Sequence, residues 1–397
     1  MDMSTASRNA AGHYAAPEQG VFGLALRTGL LSVVTLGIYR FWAKTHLRKY
    51  FWANTRFGGD GFEYTGTGLE KFLGFMVAVV VLAIYLAIVQ LILFQFGLYF
   101  VFQPKTQAEI LMQLGVFYLS LFAILPLLLF AQYRSRRYKL ARTRFRGIRF
   151  GMQKQAAGYV LRGIGYLILT VLSLGLLWPL MTYRLEAYMT NRSWYGDTKF
   201  TQGGRWVGLY GAYKHVLIAV GILIIGGASG IFMQSEPLAI VSVGLGYLWL
   251  IFGYFSYAVQ SFGYLTRTKS LGTDITFQAA PRTGTILARL ILGYLLVGII
   301  FAVVAGLGGA IAYGMLGGVT PENRTLFAVL AAVAYITLLA FVGALTMTFI
   351  TEPIIRHLVG TTTVVNIAAL DVIRQRVTDK GADAEGFADA LDWGGAI

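Results

Sequence analysis

Six long apolar stretches constrain this 397-residue chain more than any other feature. Each is longer than the 18 residues that mark a candidate membrane span. The composition agrees, because hydrophobic residues make up 56% of the chain and charged residues only 13%. The sequence therefore predicts an integral membrane protein with spans at 72–102, 110–131, 206–232, 238–260, 286–316 and 325–351.

The charge distribution predicts how these spans are oriented. They form three pairs, and the short connection within each pair holds no more than one Lys or Arg. The longer loops at 40–71, 134–154, 184–205 and 267–289 are rich in Lys and Arg. Because positively charged loops stay in the cytoplasm, we expect the long loops and the C-terminus to be cytoplasmic.

Two further apolar stretches, 21–41 and 159–181, complicate the count of spans. Each is about long enough to cross a membrane once, and each contains a Leu-Gly pair, Leu36-Gly37 or Leu174-Gly175. Basic loops flank the second stretch on both sides, which favours an element that enters and leaves on the cytoplasmic face. We favour six spans with two re-entrant elements, and the alternative is eight full spans.

An internal similarity at an offset of 138 residues links these two stretches. The offset pairs Gly37 with Gly175, Tyr50 with Tyr188, Gly58 with Gly196, Phe62 with Phe200 and Gly66 with Gly204. This regularity predicts a duplication, with one copy at 21–158, a second at 159–285 and an extra helix pair at 286–352. After the last span His357 stands where the pattern would need a Tyr, so we expect the pattern to end there.

The segment that follows Tyr50 alternates polar and aromatic residues from 61 to 66, as short strands do. We therefore predict an all-α polytopic membrane protein that carries only small cytoplasmic β-hairpin insertions. Residues 1–20 are expected to be a disordered tail. Residues 353–397 are expected to form a cytoplasmic tail with a short helix, whose apolar positions fall between 364 and 373, and an acidic end.

Several local motifs resemble the YjgN-like family of bacterial inner-membrane proteins, a domain-of-unknown-function family. The matching residues are Thr35-Leu36-Gly37-Ile38-Tyr39, Trp42-Ala43-Lys44, Arg48-Lys49-Tyr50, Asn54-Thr55 and Gly59-x-x-Phe62-x-Tyr64-x-Gly66. The family pattern has a Pro before the Trp, where this chain has Phe41. The resemblance covers roughly 21–352 and implies a multi-pass protein of the inner membrane. It supplies no reaction, ligand or catalytic residue.

Residues that could carry catalysis or bind a metal are scarce. The chain has no cysteine, and its four histidines lie in separate segments without a neighbouring metal-ligand residue at helical spacing. We expect no enzyme activity, no cofactor and no metal. Nucleic acid is not an expected partner either, because the basic residues lie beside apolar spans, where they attract anionic lipid.

Three groups of candidate site residues remain. A candidate anionic-lipid contact comprises Arg134, Arg136, Arg137, Lys139, Arg142 and Arg144. A candidate intramembrane polar site comprises Gln90, Lys214 and His215. The repeated residues Gly37, Tyr50, Gly58, Phe62 and Gly66, with their counterparts Gly175, Tyr188, Gly196, Phe200 and Gly204, are expected to shape turns, and the alternative is two matching ligand sites.

Two functions fit these features best. The first is a transporter or channel for a small solute or lipid, and it predicts that Gln90, Lys214 and Tyr85 converge on a water-filled cavity. The second is a non-catalytic protein that binds anionic lipid or organises partners, and it predicts a dry helix bundle with a basic collar at the cytoplasmic interface. A homo-oligomer is compatible with both.

Overall fold

The computed structural model describes residues 9–17, 20–100, 104–232, 235–315 and 320–376. Within them, six helices are long and apolar enough to cross a membrane. They lie in the three predicted pairs, and parts of the connections within the pairs fall outside the described residues. The helices are α3 (Gly68–Gln95), α4 (Gln107–Ala141), α7 (Tyr210–Phe232), α8 (Glu236–Arg267), α9 (Thr283–Met315) and α10 (Arg324–Thr346).

The two ambiguous apolar stretches form short helical hairpins. The first comprises α1 (Phe22–Val34) and α2 (Arg40–Asn54), and the second α5 (Ala156–Leu172) and α6 (Trp178–Thr190). With 13 residues α1 is about 20 Å long, well short of the roughly 30 Å of a bilayer core. The strands before and after each hairpin pair with each other, so both ends of a hairpin lie together. This geometry favours the re-entrant interpretation.

The prediction of an all-α protein with small hairpin insertions is wrong. Ten strands form a closed antiparallel barrel in the order β1-β10-β9-β8-β7-β6-β5-β4-β3-β2. They are β1 (Ala10–Tyr14), β2 (Thr55–Phe57), β3 (Asp60–Tyr64), β4 (Thr143–Phe145), β5 (Ile148–Met152), β6 (Ser193–Tyr195), β7 (Thr198–Gln202), β8 (Lys269–Leu271), β9 (Ile275–Ala279) and β10 (Thr362–Val365). Strands of three to five residues are too short for a periodic sequence signal, and most are separated in sequence by a helix pair.

The chain divides into two compact units, which are described separately below. The first comprises residues 1–64 and 201–373, and the second comprises residues 65–200 and 374–397. Among the described residues, the first unit contains the helix pairs α1–α2, α7–α8 and α9–α10. The second contains α3–α4 and α5–α6. The proposed copy boundaries at 158 and 285 stay a prediction.

Both predicted tails contain ordered structure. Residues 10–14 are not disordered: they form β1, in which Gly12 pairs with Phe57 of β2 and Ala10 with Val364 of β10. At the other end, α10 continues through a π-helical turn (Met347–Thr351) into α11 (Glu352–Gly360). In the segment 364–373, where a short helix is expected, β10 ends at Val365 and a 3-10 helix covers Ile367–Val372. The acidic end lies outside the described residues.

The elements recur in a regular order along the chain. Five times, a strand of five residues leads into a helix pair, which leads into a strand of three or four residues. The fifth segment also ends in a strand, β10, which a 3-10 helix follows instead of a second strand. The segments with α1–α2 and α5–α6 carry the two short hairpins, and the other three carry the long pairs.

Candidate functional site

In several helix pairs, the side chain five residues before the following strand forms a hydrogen bond between the end of the pair and its beginning. Tyr138, Tyr188, Tyr264 and His357 each lie five residues before a strand. The Tyr188 hydroxyl donates to the Gln155 carbonyl at 3.1 Å, and the Tyr264 hydroxyl to the Arg205 carbonyl at 2.8 Å. The Tyr138 hydroxyl donates to Glu70 at 2.9 Å, and His357 Nε2 accepts from the Arg282 amide at 3.1 Å. Each bond joins the last helix of a pair to the start of the first.

Tyr50 occupies the same position but has a different partner. Its hydroxyl donates to Glu352 Oε1 at 3.1 Å, and the Tyr14 hydroxyl donates to the same oxygen at 3.1 Å. Glu352 is only 5% exposed and begins α11 directly after the π-helical turn. The Arg356 guanidinium lies 5.7 Å from the centre of the Tyr14 ring. This buried carboxylate is thus held by two phenols.

The two phenols in this cluster resist ionisation. Burial raises the pKa of Tyr14 above its usual value, and the negative charge of Glu352 raises it further. The same two causes, in the same order, raise the pKa of Tyr50 to about 12. Sequence reasoning missed Glu352, because it ends the last apolar stretch and resembles the first residue of a polar tail.

The second unit contains an aromatic cluster around Tyr188. The rings of Tyr133, Tyr159 and Tyr188 lie 5.5 to 6.1 Å apart, and all three side chains are buried. The Arg162 and Arg192 guanidinium groups lie 4.9 and 3.6 Å from the centre of the Tyr188 ring. Tyr188 is therefore enclosed by rings and cations, which supports the structural interpretation of this repeated residue.

The basic stretch at the end of α4 is engaged in large part with the protein itself. Arg136 makes two hydrogen bonds to the Glu186 carboxylate, at 2.5 and 3.0 Å. Arg142 bonds to Glu70 at 3.0 Å. Arg137 is only 3% exposed, and its Nε donates to the Met152 carbonyl at 3.3 Å. Three of the six candidate lipid contacts thus hold α4 to its neighbours.

The other three basic candidates are partly buried, as Arg136 and Arg142 are. The Arg134 guanidinium lies 5.6 Å from the centre of the Phe130 ring, and Lys139 is half-buried on α4. Arg144 lies on β4 directly opposite Arg149 of β5. Two like charges at paired strand positions repel each other. Lipid contact by Arg134, Lys139 and Arg144 stays a prediction.

The candidate intramembrane polar residues are each placed within their own helix pair. In the α3–α4 pair, Gln90 donates to Ser120 at 2.8 Å, and Tyr85 donates to the Ala123 carbonyl at 2.8 Å. In the α7–α8 pair, Lys214 is exposed, and the His215 ring packs against the rings of Trp249 and Phe252. These contacts are typical of polar groups that stabilise helix packing in a membrane.

The repeated glycines and phenylalanines lie in turns and ring contacts. Gly37 and Gly175 have φ values of +88° and +87° in the turns of the two short hairpins, a conformation that glycine adopts without strain. The other members of the motif lie as follows: Gly58 and Gly196 in β-turns, Phe62 against Phe57, Phe200 against Phe150, Gly66 buried after β3, and Gly204 beside Thr268.

Comparison with known proteins identifies one family. A family model described as "Bacterial protein of unknown function (DUF898)" matches residues 11–284. This is the YjgN family, so the resemblance carried by the motifs between Thr35 and Gly66 is confirmed. No curated protein and no solved structure matches the chain.

Proposed function

Because the chain belongs to the bacterial family of unknown function DUF898, whose description names no activity, we propose its function from geometry: it binds anionic lipid and catalyses no reaction. In this proposal the protein lies in the bacterial inner membrane, with the strands, the basic helix ends and the C-terminus on the cytoplasmic side. The excess of basic residues in the long loops supports that orientation.

The low burial of the long helices carries the proposal. Only 6 to 17% of the most apolar window of each candidate span is buried within the protein. Large apolar side chains cover the exposed faces of these helices, among them Ile84 and Leu91 on α3 and Leu295 on α9. Because lipid tails are as apolar as these side chains, such faces are stable against a bilayer. The exposed apolar faces of these helices are suited to contact with lipid, and they do not enclose a pathway for a solute.

The placement of charge supports an anionic lipid in particular. Glu186 and Glu70 bond to Arg136 and Arg142 at the end of α4. The basic side chains at 134 and 139 lie near the C-terminal end of α4, and that at 144 lies on β4, which follows it. The cytoplasmic membrane surface would meet α4 near this end. Basic residues next to a membrane attract anionic headgroups by about 1 kcal/mol each.

Lipid co-purification tests the proposal. We expect the protein, extracted in mild detergent, to retain phosphatidylglycerol enriched over phosphatidylethanolamine relative to the membrane extract, as measured by mass spectrometry. Combined substitution of Arg134→Gln, Lys139→Gln and Arg144→Gln should reduce this enrichment. Arg324→Gln is the matched control, because Arg324 is an exposed cation at the start of α10, away from the basic loops. An unmodified protein without enriched anionic lipid would overturn the proposal.

A transporter or channel is the second candidate function, and the same exposed helix faces favour it. Several copies of the chain, packed through these faces, would enclose a pathway that one copy leaves open. Solute flux into proteoliposomes, together with the oligomeric state in a bilayer, separates the candidates. Solute flux that requires a homo-oligomer would favour transport. If the protein binds lipid but carries no solute flux, lipid binding is favoured.

A further inference from the structure

An apolar groove of about 590 Å³ runs along one face of α9 in the first unit. Seven of its eight lining residues come from α9 at helical spacing, and Phe349 of the π-helical turn forms the other wall. The lining comprises Gly284, Thr285, Ala288, Arg289, Leu292, Gly293, Leu296 and Phe349. From 284 to 296 the groove extends about 18 Å along the helix, close to the depth of one bilayer leaflet.

The groove owes its shape to a glycine and to the π-helical turn. A Cβ added at Gly293 would lie 2.5 Å from Ile350 Cγ1 and 3.1 Å from the Phe349 carbonyl oxygen. Only a glycine therefore lets the π-helical turn approach α9 this closely. Such turns inside helices often mark functional sites. The close approach of the π-helical turn to α9 at Gly293 therefore shapes the groove beside Phe349.

The one cation in the lining of the groove, Arg289, lies near the middle of its length. Arg289 is half-buried, and the hydrogen bond of its guanidinium to the Pro353 carbonyl is the one it makes among the described residues. A guanidinium has five N–H donors, so most of them remain available to a ligand. In the described part of the chain, no carboxylate forms an ion pair with Arg289. Arg282, which is exposed, adds a second positive charge two residues before the groove begins.

We propose that this groove, which we call the α9 groove, is a binding site for one anionic phospholipid. This inference rests on the proposed function and names the site. The phosphate of the headgroup would bond to the Arg289 guanidinium, and an acyl chain would lie along Leu292, Leu296 and Phe349. Arginine suits this role because its planar fork matches the oxygens of a phosphate. The apolar lining beyond Arg289 selects a lipid over a free phosphate ester.

Native mass spectrometry with added dioleoyl phosphatidylglycerol tests the site on full-length, delipidated protein. We expect Arg289→Gln to weaken the tightest binding step about tenfold, the effect of losing a charge-assisted hydrogen bond. Arg289→Lys should bind with an affinity between those of the unmodified protein and Arg289→Gln, because the charge remains but the planar fork is lost. Ala288→Trp should abolish this step by filling the groove; Ala288 is exposed, so the larger side chain meets no buried neighbour. Arg324→Gln should bind like the unmodified protein.

The outcomes separate the site from the function. If the unmodified protein binds no phosphatidylglycerol, the proposed function fails. If it binds, and both Arg289→Gln and Ala288→Trp bind equally well, the lipid lies elsewhere and the α9 groove is refuted. Glycerol 3-phosphate, which has the headgroup chemistry without the tails, should not compete. Full competition would show that the groove takes a free phosphate ester and would overturn the lipid assignment.

Discussion

Glu352 is a buried carboxylate that needs hydrogen-bond donors around it. A charge removed from water is costly unless hydrogen bonds replace the lost hydration. Tyr14 and Tyr50 supply two such bonds from β1 and α2, more than 300 residues earlier in the chain. The carboxylate therefore joins α11 to two elements from the other end of the chain.

Replacing Tyr50 by Phe should destabilise the protein without changing its shape. The substitution removes the hydrogen bond to Glu352 and leaves the ring in place. We expect the free energy of unfolding to fall by about 1 to 3 kcal/mol, as for a hydrogen bond to a charged group. Thermal unfolding in detergent measures this change. Tyr254→Phe is the control, since the Tyr254 side chain is 63% exposed; an equal loss in both variants would contradict the role of the Glu352 bond.

The same bond predicts a dependence of stability on pH. The pKa of an unfolded Tyr is about 10, whereas burial and the charge of Glu352 raise the pKa of Tyr50 in the folded protein to about 12. Its contribution to stability is complete below pH 10 and is lost as the pH rises through 12. The difference in unfolding temperature between unmodified protein and Tyr50→Phe should therefore shrink between pH 9 and pH 11.5. A constant difference would show that Tyr50 ionises as readily in the folded protein as in the unfolded chain.

The ion pair between Arg136 and Glu186 predicts coupled effects on folding. Arg136→Gln leaves a poorly exposed carboxylate without its cation, and Glu186→Gln leaves the cation without its carboxylate. Each single variant should unfold at a lower temperature, and the double variant should recover part of the loss. The coupling energy expected from such a cycle is about 1 to 3 kcal/mol. Purely additive effects would mean that the two side chains act independently.

The sequence identifies residues that anchor helix ends more reliably than it identifies the groups to which they bond. The offset of 138 residues singled out Tyr50 and Tyr188, and both anchor helix ends. It could not predict that one meets a carboxylate and the other a backbone carbonyl, since nothing local distinguishes the two positions. The absence of acids between 134 and 149 predicts that the arginines at 136, 137 and 142 contact lipid, but in the structure they bond to residues of other segments.

At the scale of elements, the turns of the two short hairpins have the properties of a loop that lies in lipid. The amides of Leu36, Gly37 and Ile38 all donate to carbonyls of the same hairpin, and the Thr35 hydroxyl accepts from the Tyr39 amide. Leu174 and its neighbours repeat this arrangement. Yet Leu36 and Leu174 are 94% and 90% exposed. Satisfied backbone groups beneath an exposed leucine are what the bilayer core requires of an irregular segment.

Spin labels at the two tips test this assignment, and the absence of cysteine from the chain makes single-site labelling direct. We expect labels at Leu36→Cys and Leu174→Cys to be accessible to oxygen and protected from a water-soluble nickel complex in liposomes. A label at Gly59→Cys, in the turn between β2 and β3, should behave oppositely. Free access of nickel to both tips would place the hairpins outside the bilayer core.

The elements also differ in how far their sequence reveals them. The long helices can be recognised in the sequence because each contains a run of more than 20 mostly apolar residues. Most strands cannot be recognised from the sequence, because three residues such as Thr143–Phe145 carry no period and their partners are fixed by pairing between distant segments. The alternation from 61 to 66 was recognised as a strand, but its neighbours in the sheet could not be deduced from it.

At the scale of the whole molecule, the two ends of the described chain depend on each other. In the first unit, β1 lies between β2 and β10 and pairs with both. Asn9 accepts from the Asn366 amide, and an added Cβ at Gly12 would collide with the Val359 carbonyl oxygen. A segment that the sequence indicated to be a disordered tail therefore completes the hydrogen bonds of two strands.

Removal of residues 1–14 should consequently leave β2 and β10 with unpaired edges. Exposed strand edges promote aggregation, so we expect the truncated protein to lose most of its monodisperse fraction in size-exclusion chromatography. Removal of residues 1–8 is the matched control, because it keeps β1 and Asn9 and should elute like the full-length protein. Gly12→Val tests the same contact without truncation, and its bulk against the Val359 carbonyl should lower the unfolding temperature. If both the 1–14 truncation and Gly12→Val remained monodisperse and as stable as the unmodified chain, β1 would contribute nothing to closing the sheet, and the N-terminal segment would have to be assigned a role outside the fold.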